Sequence, residues 1–291
     1  MWKLLQIELF KIFKRPRTYI SFAAIACLVL IIQFGLKVDG QLYIEFMLRD
    51  LSASFDITGN ILNGYLVCFI ILQLLLVHVP LLITLIAADL ISGEANMGTL
   101  RLLLTKPVSR TEVVLTKFLA ATIYTLLLLI FMAVLALFVS MALFGTDDML
   151  NLKSGYIVQL KSNDILWRYV CAFCFAALSM LTVAALGFFL SIFAENSIGP
   201  IVTTMSIIVV FTILSTLDIP IFNSMKPFLF TTHMIGWKGF FDVKVNPDNE
   251  AIVGSIQNLG KVMQAAGVLV LHIIGLLVAS VIVFKKKDIL S

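Results

Sequence analysis

An all-α integral membrane bundle of six spans is what this sequence predicts, and three observations carry that reading. Of its 291 residues, 60% are hydrophobic, against roughly 45–50% in soluble domains. Only 13% are charged, about half the usual share, and the mean hydropathy is +1.05. The apolar residues also fall into six runs, each near the ~20 residues that a helix needs to cross a hydrocarbon core. One buried core has no use for so much apolar sequence, whereas lipid as solvent demands it. No stretch is long and polar enough for a separate soluble domain, so residues 1–291 read as one transmembrane domain.

The first element, residues 1–17, is an amphipathic helix. At about 100° per residue, Trp2, Leu5, Leu9, Ile12 and Phe13 share one stripe, with Lys3, Gln6, Glu8, Lys11, Lys14 and Arg15 mostly opposite. Such a helix lies in the membrane interface with its lysines near anionic headgroups. Pro16 ends it and turns the chain into the first span. The basic leader and apolar run look like a signal peptide, but the run continues past any small-residue cleavage site, so the segment reads as a retained anchor.

The spans cover about 19–36, 65–88, 118–144, 169–194, 198–217 and 262–284. Only Glu195, Asn196 and Ser197 separate the fourth from the fifth, which makes these two a tight hairpin. Asn196 or Ser197 is placed to cap the fifth, and Pro200 sits in its first turn. With the N-terminus inside, twelve of the 21 Lys and Arg residues fall on the shorter inner segments, among them Lys285, Lys286 and Lys287 just after the last span. The nine others, Arg49 included, are spread over longer outer loops. This density predicts N-in and C-in topology, with Asp89 and Glu195 near the inner ends where water reaches them. The outer loop, 218–261, contains Pro220, Pro227 and Pro247, which exclude one continuous helix. Its aromatics, Phe222, Phe228, Phe230, Trp237, Phe240 and Phe241, point to short segments that dip back toward the membrane, with an ordinary outer domain as the alternative.

The inner loop between spans two and three, residues 89–117, has the most internal order. Gly93 and Gly98 permit sharp turns. Thr99 is placed to cap a short helix, Leu100–Thr105, which Pro107 stops. Ser109 and Glu112 then form a capping box before the third span. The short helix is expected to expose Leu100, Leu102, Leu103 and Leu104, rimmed by Arg101, Lys106 and Arg110. An apolar knob with a basic rim suits docking into another protein's groove. The alternative is that these leucines lie in the interface or pack under the bundle.

This loop resembles that of type-2 ABC exporter permeases. The matching residues are Glu94, Gly98-Thr99-Leu100, Leu103-Leu104, Pro107, Ser109, Arg110 and Lys117, and the six-span layout with its interfacial helix matches too. Gly93-Glu94-Ala95 lacks the second charged residue often found beside that glutamate. The resemblance implies that Glu94, Gly98, Thr99, Leu100, Leu103, Leu104, Pro107 and Arg110 belong to a coupling helix that sits in a groove of a separate ABC ATPase subunit. It also implies a second permease chain, identical or related, ATP and magnesium on the ATPase and no cofactor on this chain, re-entrant outer helices before the sixth span, and the plasma membrane of a prokaryote. The expected role is the permease of an ATP-driven exporter. Its charge-poor spans favour lipid-like, peptide or amphiphilic cargo over small ions.

Other functions find little support. The nearest approach to a phosphate-cradling loop, Gly254 to Gly260-Lys261-Val262, has one residue too many between its glycines and no hydroxyl after the lysine. Cys171 and Cys174 share a helix face, but no other ligand type stands near them in sequence. A secondary transporter coupled to ions needs paired ionisable groups deep in the bilayer, and only His78 and His272 lie within spans. A membrane enzyme would need a His/Asp or His/Glu pair of useful spacing, and a basic nucleic-acid surface is absent too.

Overall fold

The computed structural model describes residues 1–48, 61–153, 156–246 and 251–287. Arg49, Pro247 and the side chain of Leu104 lie outside the described residues. Helix α1 (Trp2–Lys14) ends where Arg15 turns extended. Pro16 opens α2 (Pro16–Leu48), the position where a missing N–H costs nothing. The Thr18 hydroxyl bonds the Ile12 carbonyl and fixes the elbow between the two helices.

Six helical rods are long and apolar enough to cross a membrane. The first, α2, outruns the expected end near Leu36, with a non-helical residue at Asp39 (φ −118°, ψ 15°). The apolar run stops at Lys37, whose amine reaches the Leu143 carbonyl at the end of the third span (2.7 Å), and the helix continues past it. Next comes α3 (Gly64–Ala87), capped by Asn63, whose side chain accepts from the Leu66 N–H. Pro80 lies inside α3 and leaves the Leu76 carbonyl without its usual helical donor.

Two short helices, α4 (Ser92–Asn96) and α5 (Thr99–Leu104), lead into the third span. That span begins at α6 (Arg110–Ala133), passes through a π-helical turn at Val134–Val139, and ends in α7 (Ser140–Phe144). Gln33 of α2, fully buried, donates to the Leu135 carbonyl within the π turn (3.1 Å) and to the Ser140 hydroxyl (2.9 Å). Gly64 meets the third span so closely that an added Cβ would lie 2.5 Å from the Met141 Cα. Gly64→Ala must therefore push two backbones apart, and we expect it to lower the thermal midpoint by the equivalent of about 1–3 kcal/mol. A wild-type melting curve for that variant would show the contact to be compliant.

One departure from an all-α chain is a two-stranded hairpin between spans three and four. In it β1 (Met149–Lys153) pairs antiparallel with β2 (Tyr156–Leu160), Met149 opposite Leu160. A 3-10 turn at Ser162–Asp164 precedes α8 (Leu166–Ser191), the central helix, which packs against α3, α6 and α12 and against the fifth span, α9 (Ile198–Thr216). Ala172, Ala176, Ala184 and Ala185 are buried on α8, and small residues let neighbouring helices approach. Of the two candidates Asn196 caps α9: its Oδ1 accepts from the Gly199 N–H at 3.0 Å, while the Ser197 hydroxyl turns to Asp89 instead.

After α9 the chain forms four short helical pieces. These are α10 (Pro220–Asn223), a 3-10 turn at Lys226–Phe228, α11 (Phe230–Met234) and a 3-10 helix at Ile235–Phe241. Phe230, Trp237 and Phe241 tuck into the bundle, whereas Phe228 stays exposed. The Phe69 ring stands 5.2 Å from both Trp237 and Phe241, and Tyr169 stands 4.9 Å from Phe241. Below this aromatic plug, fully buried Arg168 bonds the Asp164 carboxylate at 2.6 Å, the Phe240 carbonyl at 2.6 Å and the Ser255 carbonyl at 2.9 Å. Asp164 in turn accepts from Trp167 Nε1 and the Gly254 N–H. A single guanidinium thus ties the segment before the last span to the start of α8. The chain closes with α12 (Leu259–Lys286).

Candidate functional site

The N-terminus and the C-terminal end of α12 lie at one end of the bundle, around the base of α6. The N-terminal ammonium bonds Glu112 at 2.5 Å. Arg110 Nη1 donates to the Phe284, Lys285 and Lys287 carbonyls and so closes the C-terminal end of α12. The loop at α4–α5 projects from this end. Its sequence-predicted residues divide into those that anchor the loop and those that face outward.

Glu94 anchors. It is 4% exposed, and its Oε1 accepts from Lys11 at 2.7 Å and from Lys117 at 2.9 Å. Lys117, itself buried, also bonds Glu8 at 2.7 Å, and Lys11 bonds Glu8 at 2.8 Å. Two carboxylates and two amines from α1, α4 and α6 thus form one compensated cluster, leaving Glu94 Oε2 buried without a partner. Burial works against the charge of Lys11, but the hydrogen bonds and charges of Glu8 and Glu94 outweigh it and raise its pKa above the ordinary 10.5.

A second anchor forms around Asp89. Its place at a span end predicts access to water, but the side chain is only 2% exposed and is paired with Arg15 and with Arg17 (3.0 Å). Ser197 donates to its other oxygen. Gly93 leaves room for this carboxylate: a Cβ there would lie 2.4 Å from Asp89 Oδ1. That is the role of Gly93, which sits in regular helix rather than in a sharp turn. Gly98 does supply the turn, with φ at +69°.

Three expectations for the loop change. Thr99 is the first residue of α5 and not its cap, because its hydroxyl turns back to the Glu94 carbonyl at 3.3 Å. Leu100 is buried and joins the core under the bundle, and Leu103 is half-buried, so the exposed knob reduces to Leu102, with Met97 beside the turn. A single helical turn offers two faces, and the anchored base takes one of them. Pro107 follows α5 as expected, with Lys106 and Val108 closing local turns around it. The capping box is half formed: the Ser109 hydroxyl accepts from the Glu112 N–H at 3.1 Å, but the Glu112 carboxylate serves the N-terminus.

The stripe on α1 straddles two surroundings. Leu5, Ile12 and also Glu8 are buried against the bundle, Leu9 and Phe13 are half-buried, and Trp2 and Phe10 are exposed. Glu8 joins the inward edge because Lys117 waits there, a pairing across 109 residues that no periodicity shows. His78 and His272 each bond a carbonyl of their own helix, Leu74 and Val268 respectively.

Over 118 residues the chain is 27% identical to the uncharacterized protein YhcI of Bacillus subtilis (strain 168). That stretch covers 38% of this chain and 37% of the relative, so the chain matches a little over a third of that protein's length. The family model described as ABC-2 family transporter protein matches residues 5–289, from α1 through the end of the last span. With six apolar rods and that match along nearly its whole length, the chain belongs to the ABC-2 family of transporter proteins and is a membrane component of an ABC transporter.

Proposed function

We propose that this chain is the permease subunit of an ATP-driven exporter, and that a separate ATPase subunit docks on α4–α5. ATP and magnesium belong to that partner. The observation that carries this reading is the combination of an outward Leu102 with a base clamped to α1, α6 and α9 through Glu94 and Asp89. A push on Leu102 would reach three elements at once, because buried ion pairs leave the loop little freedom to yield separately. The largely exposed flanks of α9 and α12 suit lipid and a second permease chain, identical or related. In this reading the clamped end faces the cytoplasm of a prokaryote, in agreement with its density of lysine and arginine. The apolar spans suit amphiphilic cargo better than ions.

Affinity purification of the tagged chain from native membranes, with mass spectrometry and an ATPase assay, tests the proposal. A stoichiometric ATPase is expected with the wild type. Leu102→Asp should lose it, since a charge would enter an apolar groove without a partner. Normal recovery of the ATPase with Leu102→Asp would move the docking surface elsewhere. Transport that needs a proton gradient and no ATP would favour an ion-coupled secondary transporter instead.

A further inference from the structure

At the end of the bundle away from the N-terminus, the short helices before α12 and the first turns of α12 line an open cavity of about 470 Å³. Two lysines, Lys226 and Lys261, stand on its wall with His233, Thr232, Asn258 and one carboxylate, Asp242. The Lys226 side chain is largely buried, and its ion-pair partner, Asp218, is almost wholly in solvent. Such a pair contributes little and gives way readily to a stronger acceptor. Thr232 Oγ1 is buried on this wall with no hydrogen-bond partner. Asn258, on this wall, precedes α12 without a side-chain cap, so a 28-residue helix begins beside the cavity with its first N–H groups lacking an intrahelical acceptor. Ile235 on this wall is exposed and apolar, and so are Phe228, Leu259 and Met263, each next in sequence to a lining residue.

We infer that this cavity binds the phosphoryl headgroup of a membrane phospholipid. Two ammonium groups, an unpaired hydroxyl and a helix N-terminus provide donors for phosphate oxygens. These exposed apolar side chains, with Leu259 and Met263 on α12 itself, offer the acyl chains a surface that a free anion would not need. The site rests on the membrane-bundle reading but not on the docked ATPase. In the proposed orientation it opens to the outer leaflet.

The test is native mass spectrometry of the delipidated full chain in detergent, titrated with dioctanoyl phosphatidylglycerol, with inorganic phosphate as competitor. One tightly held lipid per chain is expected. K226Q/K261Q should weaken it by roughly tenfold or more, as loss of two charge-assisted contacts implies. K226R/K261R should retain it, and Thr232→Val, which keeps the shape, should weaken it by less. Equal lipid retention by K226Q/K261Q with an unchanged melting curve would overturn the site. Displacement of the lipid by equimolar phosphate would overturn the lipid reading in favour of a free-anion site. Because the chain is assayed alone, loss of ATPase co-purification would sink the exporter proposal and leave this result standing, and the reverse also holds.

Discussion

Lys117→Met should be among the most damaging single changes in the protein. Its amine is the only fully buried cation of the cluster, and it bonds both Glu8 and Glu94. Without it two buried carboxylates would share the half-exposed Lys11. Breaking a buried pair by removing one partner costs about 3–5 kcal/mol, so a large fall in thermal midpoint in detergent is expected. The double variant Glu8→Gln with Lys117→Met removes one charge of each sign and should recover much of the loss. An unchanged midpoint for the single variant would show that water reaches the cluster. The pH response follows from Lys11. Its pKa is raised on folding, so its stabilising share is complete below the ordinary 10.5 and is lost only as pH climbs through the higher folded value. Stability near neutral pH should therefore not depend on Lys11 titration, and melting curves across that range check it.

Arg168→Leu should have a comparable effect at the other end of the bundle. The fully buried guanidinium serves Asp164 and two backbone carbonyls, from Phe240 and Ser255. Its removal leaves a buried carboxylate and two carbonyls to find other donors, again about 3–5 kcal/mol. The aromatic plug should loosen from α8 at the same time, so Trp237 fluorescence should shift red and limited proteolysis between 240 and 260 should accelerate. Arg168→Lys should rescue only part of this, since one ammonium cannot spread its donors as the planar fork does. If Trp237 stays blue while the midpoint falls, the staple supports α8 alone and not the plug.

How much of this was legible in the sequence depends on the range of the interaction. Spans are written in local composition, and all six rods stand where apolar runs predict helix. Caps are written within four residues, so Ser109 and the Asn196 alternative were readable. The clamp was not, because Glu8 meets Lys117 and Lys11 meets Glu94 across 109 and 83 residues. On a helical wheel Glu8 simply falls on the polar side. The same limit hid the face of α5: four leucines in five positions look uniformly exposed until the base of the loop is fixed, and then Leu100 turns inward and Leu102 outward. Arg168 has the look of an ordinary outer-loop charge because its acceptors include backbone atoms far along the chain.

The π turn in the third span has a consequence for which face the rod turns to its neighbours near its far end. Each wide turn inserts an extra residue into the winding and rotates the remainder of the helix out of phase by up to ~100°. The first length, α6, packs against α1, α8 and α12 and also meets α2 and α3, while α7 beyond the insertion packs mainly against α3. An unbroken α-helix would bring a different face of this last turn and a half to α3. Gln33 spans the insertion point, holding the Leu135 carbonyl on one side and Ser140 on the other. It therefore acts as a pin on the rotational register of the rod, fixing which face α7 turns to α3.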